Sequence, residues 1–203
     1  ELILQEKEAG NHVVVVVSAM AGVTDDLVHK VNQIAAVDNE ISQKEYDVAM
    51  ASGEQVSSAL LALMLQKKGY KSRSWLSWQL PIISDGNYGR ADIVSINTGK
   101  IIDSLRNDEV PVIAGFQGVC DDRITTMGRG GSDTTAASIA AALSAKRCDI
   151  YTDVNGIFTA DPSIVKDAKK LDSISYEEML ELSSLGARVL NTKSVETAMK
   201  YKV

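Results

Sequence analysis

The sequence predicts an α/β fold, a three-layer sandwich in which helices flank a mostly parallel central sheet. Two segments without charged residues, Val13–Val17 and VPVIAGFQGV at 110–119, predict strands that helices cover on both faces. Strand-like and helix-like segments alternate along the chain, which is typical of sheets built from crossover connections. The length of 203 residues fits one large domain, which we expect to span residues 1–203.

The other elements are predicted from turns, caps and apolar spacing. ELILQEKEAG predicts a helix that Gly10 ends, and VTDDLVHKVNQIAA predicts a helix capped near Thr24 or Asp25. Residues 42–69 predict two helices that meet at Ser52–Gly53. Strands are also predicted at 71–78, 81–85, 91–97 and 148–158, and helices at 100–107, 175–187 and 193–202.

Composition and charge exclude several classes of protein. A net charge of −6 argues against non-specific nucleic-acid binding. No apolar run approaches the length of a membrane span, and no basic, apolar leader opens the sequence, so we expect a cytoplasmic protein without membrane contact. Cys120 and Cys148 lie beside apolar runs without CxxC spacing and predict free thiols. The two histidines lack the spacing of metal ligands.

The string GRGGSD at 128–133 predicts an anion-binding site. It joins a glycine-rich loop to a helix that we expect to begin near Ser132 or Asp133. The first amides of a helix lack internal partners and its dipole places positive charge there, while the glycines admit a ligand close to the backbone. Arg129 adds a fixed cation. The alternative is a surface turn that caps a helix.

Further candidates lie in the loops that follow the predicted core strands, where open α/β sheets bind ligands. Glu54 in SGEQ is a candidate carboxylate for an ammonium group, and the alternative is an acid that stabilises a helix dipole. Asp153 and Asp161 flank a glycine turn, and the alternative for both is ordinary turn chemistry.

Taken together, these stretches resemble the aspartokinases of the amino-acid kinase family. The resemblance covers essentially the whole chain, through VVVVVSAMAGVTDDL, ASGEQVSSALLALMLQKKGY, VPVIAGFQG, TTMGRGGSDTTAASIAAAL, YTDVNGIFTADP and SLGARVLNTKSVETAM. It implies transfer of a phosphoryl group from ATP, with Mg²⁺, to the side-chain carboxylate of L-aspartate, the first step towards lysine, threonine and methionine. It also implies a homodimer.

The resemblance implies roles for individual residues. The residues that would hold aspartate are Ser18, Thr24, Glu54, Arg129, Ser132 and Asp133. Of these, Arg129 and Asp133 would also take part in catalysis, Arg129 by a bidentate grip on a carboxylate and Asp133 by orienting donors. The residues that would contact ATP are Gly130, Gly131, Thr152, Asp153, Phe158, Thr159, Ala160, Asp161, Pro162, Ser163 and Arg188. No residue is assigned as a metal ligand.

The sequence departs from the family pattern in several places. The family begins with a strand whose lysine and glycines grip the ATP phosphates, and this stretch is not in the sequence. Phe158, Ser163 and Arg188 stand where the family usually has tyrosine, arginine and lysine. We therefore expect an open sheet edge beside Val13–Val17, a tendency to associate through it, and very low turnover. The family's regulatory ACT domains are also outside the sequence, so feedback inhibition is not expected.

Two alternatives to an aspartate kinase remain from the sequence. An amino-acid kinase acting on glutamate or acetylglutamate would share the fold, although SGEQVSSALLA and GRGGSD argue against it. A non-catalytic fragment or subunit that binds ATP or an amino acid is the second alternative, because the phosphate-gripping strand is not in the sequence. ATP binding without turnover would support the second alternative.

Overall fold

The computed structural model describes residues 1–184 and 189–203. Seven helices and seven strands are found within these ranges. In chain order they are α1 (Leu2–Glu8), β1 (Val15–Val17), α2 (Val23–Ile34), α3 (Glu40–Lys67), β2 (Ser72–Trp75), β3 (Ile82–Ser84), β4 (Ile93–Ile96), α4 (Gly99–Arg106), β5 (Val110–Ala114), β6 (Gln117–Cys120), β7 (Arg123–Thr126), α5 (Gly131–Ala142), α6 (Tyr176–Ser184) and α7 (Thr192–Tyr201).

A parallel three-stranded sheet forms the centre of the fold and confirms the predicted α/β class. Its strand order is β1-β5-β2, and both pairings are parallel. All five residues of β5 are buried, as expected for a central strand between two neighbours. Successive side chains of β5 lie on opposite faces of the sheet, as in any β-strand.

The two faces of this sheet carry separate apolar clusters. On one face, Val110 and Val112 cluster with Ala62 and Leu65 of α3. The other face packs around Ile113, and its cluster contains the buried residues Trp75, Leu80, Ile82, Ile101, Met127 and Ile139. Since Ile101 belongs to α4 and Ile139 to α5, helices lie on both faces, and the predicted layered arrangement is confirmed.

A second, mixed sheet was not predicted as a separate unit. Its order is β4-β3-β6-β7, with one parallel and two antiparallel pairings. The expected single strand at 110–119 is wrong, because Phe116 adopts a positive φ of 68° and separates β5 from β6. The predicted turn at Asp121–Asp122 is confirmed, and both residues have positive φ, as a two-residue hairpin turn requires.

Helix α3 is continuous, so the prediction of two helices meeting at Ser52–Gly53 is wrong. Gly53 is buried inside the helix. A Cβ atom at this position would lie 2.8 Å from Ala19 Cβ and 3.4 Å from Val23 Cγ1. The glycine therefore lets the β1–α2 turn approach the helix closely, and it does not interrupt the helix.

By length and composition alone, α3 could also cross a membrane. However, it contacts strands of both sheets and buries two carboxylates, Asp47 and Glu54, as the core helix of a folded domain does.

Several smaller expectations also need correction. Helix α2 begins after Gly22, which has a left-handed φ of 78°, so Thr24 and Asp25 lie inside its first turn, and neither they nor any other described side chain caps it. Helix α5 begins at Gly131, one residue earlier than expected. The strand predicted at 148–158 does not form among the described residues, which show only an isolated bridge between Phe158 and Lys170.

Strand β1 lies at the edge of the parallel sheet in the described part of the chain. Val16 packs against the cluster around Ile113, and Val15 and Val17 pack against the cluster of Val110 and Val112, so both faces of the strand are covered as predicted. The three residues are only half-buried because the expected open edge leaves them partly exposed. A cleft of about 1400 Å³ runs beside the strand. Its lining includes Val13–Val17, Ser18, Ser132, Asp133, Arg147 and Tyr151.

Asp47 joins α3 to two other parts of the fold through a fully buried carboxylate. Its Oδ2 accepts hydrogen bonds from the backbone amides of Thr126 at 2.7 Å and Gly89 at 2.9 Å. Its Oδ1 accepts from Thr126 Oγ1 and from Gln43 Nε2, both at 3.0 Å. Four donors therefore satisfy the buried charge.

Replacing Asp47 with asparagine is expected to lower the free energy of unfolding by about 2 kcal/mol, because an amide removes the charge and turns a donor towards these donors. Denaturant unfolding measures the change. Asp103→Asn is the matched control, because Asp103 is an exposed acid paired with Arg106 on α4. Equal stability of Asp47→Asn and the control would contradict a central role for this carboxylate.

Candidate functional site

Two connecting turns and the start of α5 meet at the carboxyl end of the parallel sheet. The Gly115 amide donates to Val17 O at 3.0 Å and so ties the turn after β5 to the end of β1. A Cβ at Gly115 would lie 2.9 Å from Ser132 Cβ, so the glycine lets α5 approach this turn. The Phe116 amide donates to Thr135 Oγ1 at 3.1 Å. This is the edge of the sheet where ligands are expected.

The loop at 128–131 has the geometry of an anion-binding helix start. Gly128 and Gly130 have φ values of 71° and 72°, and the Gly131 amide donates to Gly128 O at 3.1 Å. No described side chain caps α5 at Gly130. Among the described residues, the amides of Ser132 and Asp133 find no acceptor. These two donors, with the helix dipole, can bind a carboxylate or phosphate.

Ser18, Ser132 and Asp133 are brought together as lining residues of the cleft beside β1. Burial raises the pKa of the Asp133 carboxyl group, since the charged form is poorly solvated there. Ser57 of α3 lines the same cleft and was not predicted. The structure thus places three of the six predicted aspartate-binding residues in one cavity.

Glu54 is a buried carboxylate, and only one of its two oxygens has a hydrogen-bond partner among the described residues. Its Oε1 accepts from the Ala19 amide at 2.9 Å, in the turn after β1. Its Oε2 is buried and has no partner among the described residues. Burial raises the pKa of Glu54, and the hydrogen bond from Ala19 opposes the rise only in part. Because Glu54 lies in the middle of α3, the interpretation as an acid in the first helical turn is wrong.

Thr24 and Arg129 are not among the residues that line the cleft. Thr24 lies in the first turn of α2, next to Val23, whose side chain approaches Gly53 of α3. Arg129 is exposed, and its guanidinium makes no salt bridge with any residue in 1–184 or 189–203. Its backbone carbonyl accepts a hydrogen bond from Asn191 Nδ2 at 2.7 Å. The Arg129 side chain is therefore available to an anion.

Two residues that support this region were missed by the sequence predictions. Gln117, the first residue of β6, is fully buried and donates through Nε2 to Ala51 O at 3.2 Å, which ties the start of β6 to α3. Asn191 is the N-cap of α7, and an asparagine directly before a helix is a recognisable capping signal in sequence. No sequence signal shows that Asn191 contacts the loop at 128–131.

The segment predicted to contact ATP lies in irregular structure. Thr152, Asp153 and Asp161 are exposed. Asp161 accepts from the Ser163 amide at 2.8 Å and from Ser163 Oγ at 2.6 Å, and the hydroxyl bond lowers the pKa of its carboxyl group. No hydrogen bond between described residues joins 152–163 to the loop at 128–131. The predicted role of Arg188 lies outside the described residues.

The fold and this site define the class of protein. The chain belongs to the amino acid kinase family, because the sequence profile of that family matches residues 1–203.

Within the family, the similarity to aspartokinases is confirmed. The aspartokinase of Rickettsia felis is 54% identical over 203 residues, which are 100% of this chain and 51% of that protein. The aspartate kinase structure from Synechocystis has a TM-score of 0.82 and 42% identity, covering 100% of this chain and 33% of the other. Aspartokinase III of E. coli, solved in complex with aspartate and ADP, has a TM-score of 0.81 and 26% identity, covering 97% and 55%. The chain spans about half the length of the curated relatives that it matches.

Proposed function

We propose that residues 1–203 form a catalytic domain that transfers a phosphoryl group from ATP to the side-chain carboxylate of L-aspartate. The observation that carries this proposal is the Glu54 carboxylate, whose buried Oε2 has no partner in residues 1–184 and 189–203, while Oε1 accepts a hydrogen bond from the Ala19 amide. An ammonium group would supply the missing donors. The similarity to an aspartokinase that was solved with aspartate and ADP supports aspartate as the amino acid.

The site residues fit the two ends of aspartate. Glu54 would receive the ammonium group, and Arg129 would grip a carboxylate through its planar guanidinium. The free amides of Ser132 and Asp133 would bind an anionic oxygen near the transferred group. Because the reacting carboxylate is already ionised at pH 7, no general base is needed. The protein has to align two anions and offset their repulsion.

The nucleotide and the metal also need partners in the protein. We propose that Gly130, Gly131 and the segments 152–153 and 158–163 contact ATP. When bound, Mg²⁺ would offset the negative charge of the phosphates. No group of three His, Cys, Asp or Glu side chains in the described ranges could hold a metal ion. Mg²⁺ usually binds proteins through substrate phosphates and one or two carboxylates. Asp133 lines the cleft and would supply one such carboxylate. The homodimer and the cytoplasmic location remain predictions.

Substrate preference tests the proposed function. We expect L-aspartate to bind the chain more tightly than L-glutamate in calorimetric titrations with Mg²⁺ and a non-hydrolysable ATP analogue, because an extra methylene would misplace one charged end. ADP release from ATP on addition of each amino acid provides the second readout. Equal or tighter binding of glutamate, or no binding of aspartate, would overturn the proposal. Aspartate binding without ADP release would favour the non-catalytic alternative.

A further inference from the structure

Asn191 joins the start of α7 to the loop that precedes α5. Its Oδ1 accepts from the Lys193 amide at 2.9 Å and so caps α7. Its Nδ2 donates to Arg129 O at 2.7 Å. One side chain therefore satisfies an amide at the beginning of one helix and a carbonyl beside the beginning of another.

The backbone of Gly130 is in direct contact with this side chain. A Cβ atom at Gly130 would lie 2.3 Å from Asn191 Cβ and 2.8 Å from Asn191 Cγ. Gly130 also has a φ of 72°, in the left-handed region. Glycine is thus required both by the backbone conformation and by the approach of Asn191. Asn191 therefore contacts the backbone of both Arg129 and Gly130. These two residues lead directly into the first turn of α5, which carries the free amides.

We propose that Asn191 is a positioning residue, which holds the Arg129–Gly130 backbone so that Arg129 and the first amides of α5 converge on the substrate carboxylate. This inference rests on the proposed function. Asn191 acts through the loop and does not itself touch the substrate. The role requires an amide side chain, because the same group must donate to a carbonyl and accept from a helix amide.

Asn191→Asp separates these two roles. Aspartate keeps the acceptor that caps α7, but it loses the donor to Arg129 O and places a carboxylate beside a carbonyl. Asn39→Asp is the matched control, because Asn39 caps α3 through Oδ1, which accepts from the Ser42 amide at 3.0 Å. Asn39 Nδ2 donates to Asp38 Oδ1, so the control also loses an amide donor, but far along the sequence from Arg129.

The test compares the two variants in affinity and in the ligand-free backbone. We expect Asn191→Asp to raise the Kd for L-aspartate about tenfold and Asn39→Asp to leave it within about twofold. The backbone amide signals of Gly130 and Gly131 in the ligand-free protein should shift only in the Asn191 variant. Asn191→Ser, which keeps a capping hydroxyl, provides the same comparison if the first variant does not fold.

The outcomes distinguish this inference from the proposed function. If the unchanged chain binds no aspartate, the proposed function fails. If the unchanged chain binds aspartate and the Asn191 variants match the Asn39 control in affinity and in the Gly130 and Gly131 signals, only the positioning role is overturned.

Discussion

Replacing Glu54 with glutamine is expected to weaken L-aspartate binding about a hundredfold. The variant keeps an acceptor for the Ala19 amide but removes the buried negative charge that the substrate ammonium would meet. Calorimetric titration at pH 7 measures the effect. Glu45→Gln is the matched control on the same helix, because Glu45 is an exposed acid paired with Arg123. An aspartate Kd for Glu54→Gln equal to that of the control would contradict the assignment of the ammonium to Glu54.

The same change is expected to stabilise the ligand-free protein at pH 7. Burial raises the pKa of Glu54 above its ordinary value of 4.5, so the folded protein holds this proton more tightly than the unfolded chain. Between the ordinary and the raised pKa the folded state binds more protons, and its free energy of unfolding therefore falls as pH rises. Glu54→Gln removes this contribution. Denaturant unfolding between pH 4.5 and pH 7 should show a smaller loss of stability in the variant than in the unchanged chain.

Replacing Arg129 with lysine is expected to weaken aspartate binding by about 1.5–3 kcal/mol, the range for hydrogen bonds to charged groups. Lysine keeps the charge but loses the planar fork that can bind both oxygens of a carboxylate. The affinity for ATP should change much less. Titrations of both ligands against the same variant measure the two effects separately.

Arg106→Lys provides the control for the Arg129 experiment, because Arg106 is an exposed arginine of α4 that pairs with Asp103. This control should bind both ligands like the unchanged chain. If ATP binding falls in Arg129→Lys while aspartate binding holds, Arg129 belongs to the nucleotide site and the proposed arrangement is wrong.

The sequence predicted the elements whose signals are local. Helices α1, α4, α6 and α7 and strands β2 to β4 follow from apolar spacing and turn residues, and all are found near the expected positions. Gly53 misled the prediction because a glycine that admits a neighbouring Ala19 looks the same in sequence as one that ends a helix. At 148–158 a strand was predicted and none is found among the described residues. Its residue types favour a strand, but a strand forms only where a partner strand is available.

The residues of the candidate site also separate into those with a local sequence signal and those that depend on distant contacts. Arg129, Ser132 and Asp133 could be predicted because a glycine-rich loop followed by a helix start is a local signal. Asn191 and Gln117 could not, because each acts through a contact with a distant part of the chain. Glu54 was a candidate from the sequence, but its burial and the lack of a described partner for its Oε2 depend on how α3 packs against the turn after β1.

L-Aspartate is proposed to bind between Glu54 and the loop at 128–131. This claim is tested by titrating isotopically labelled protein with L-aspartate and following its backbone amide signals. We predict saturable shifts at Ala19, which donates to Glu54, and at Gly130, Ser132 and Asp133 around the start of α5. Saturable binding that leaves these four signals unchanged and shifts amides elsewhere would contradict the claim.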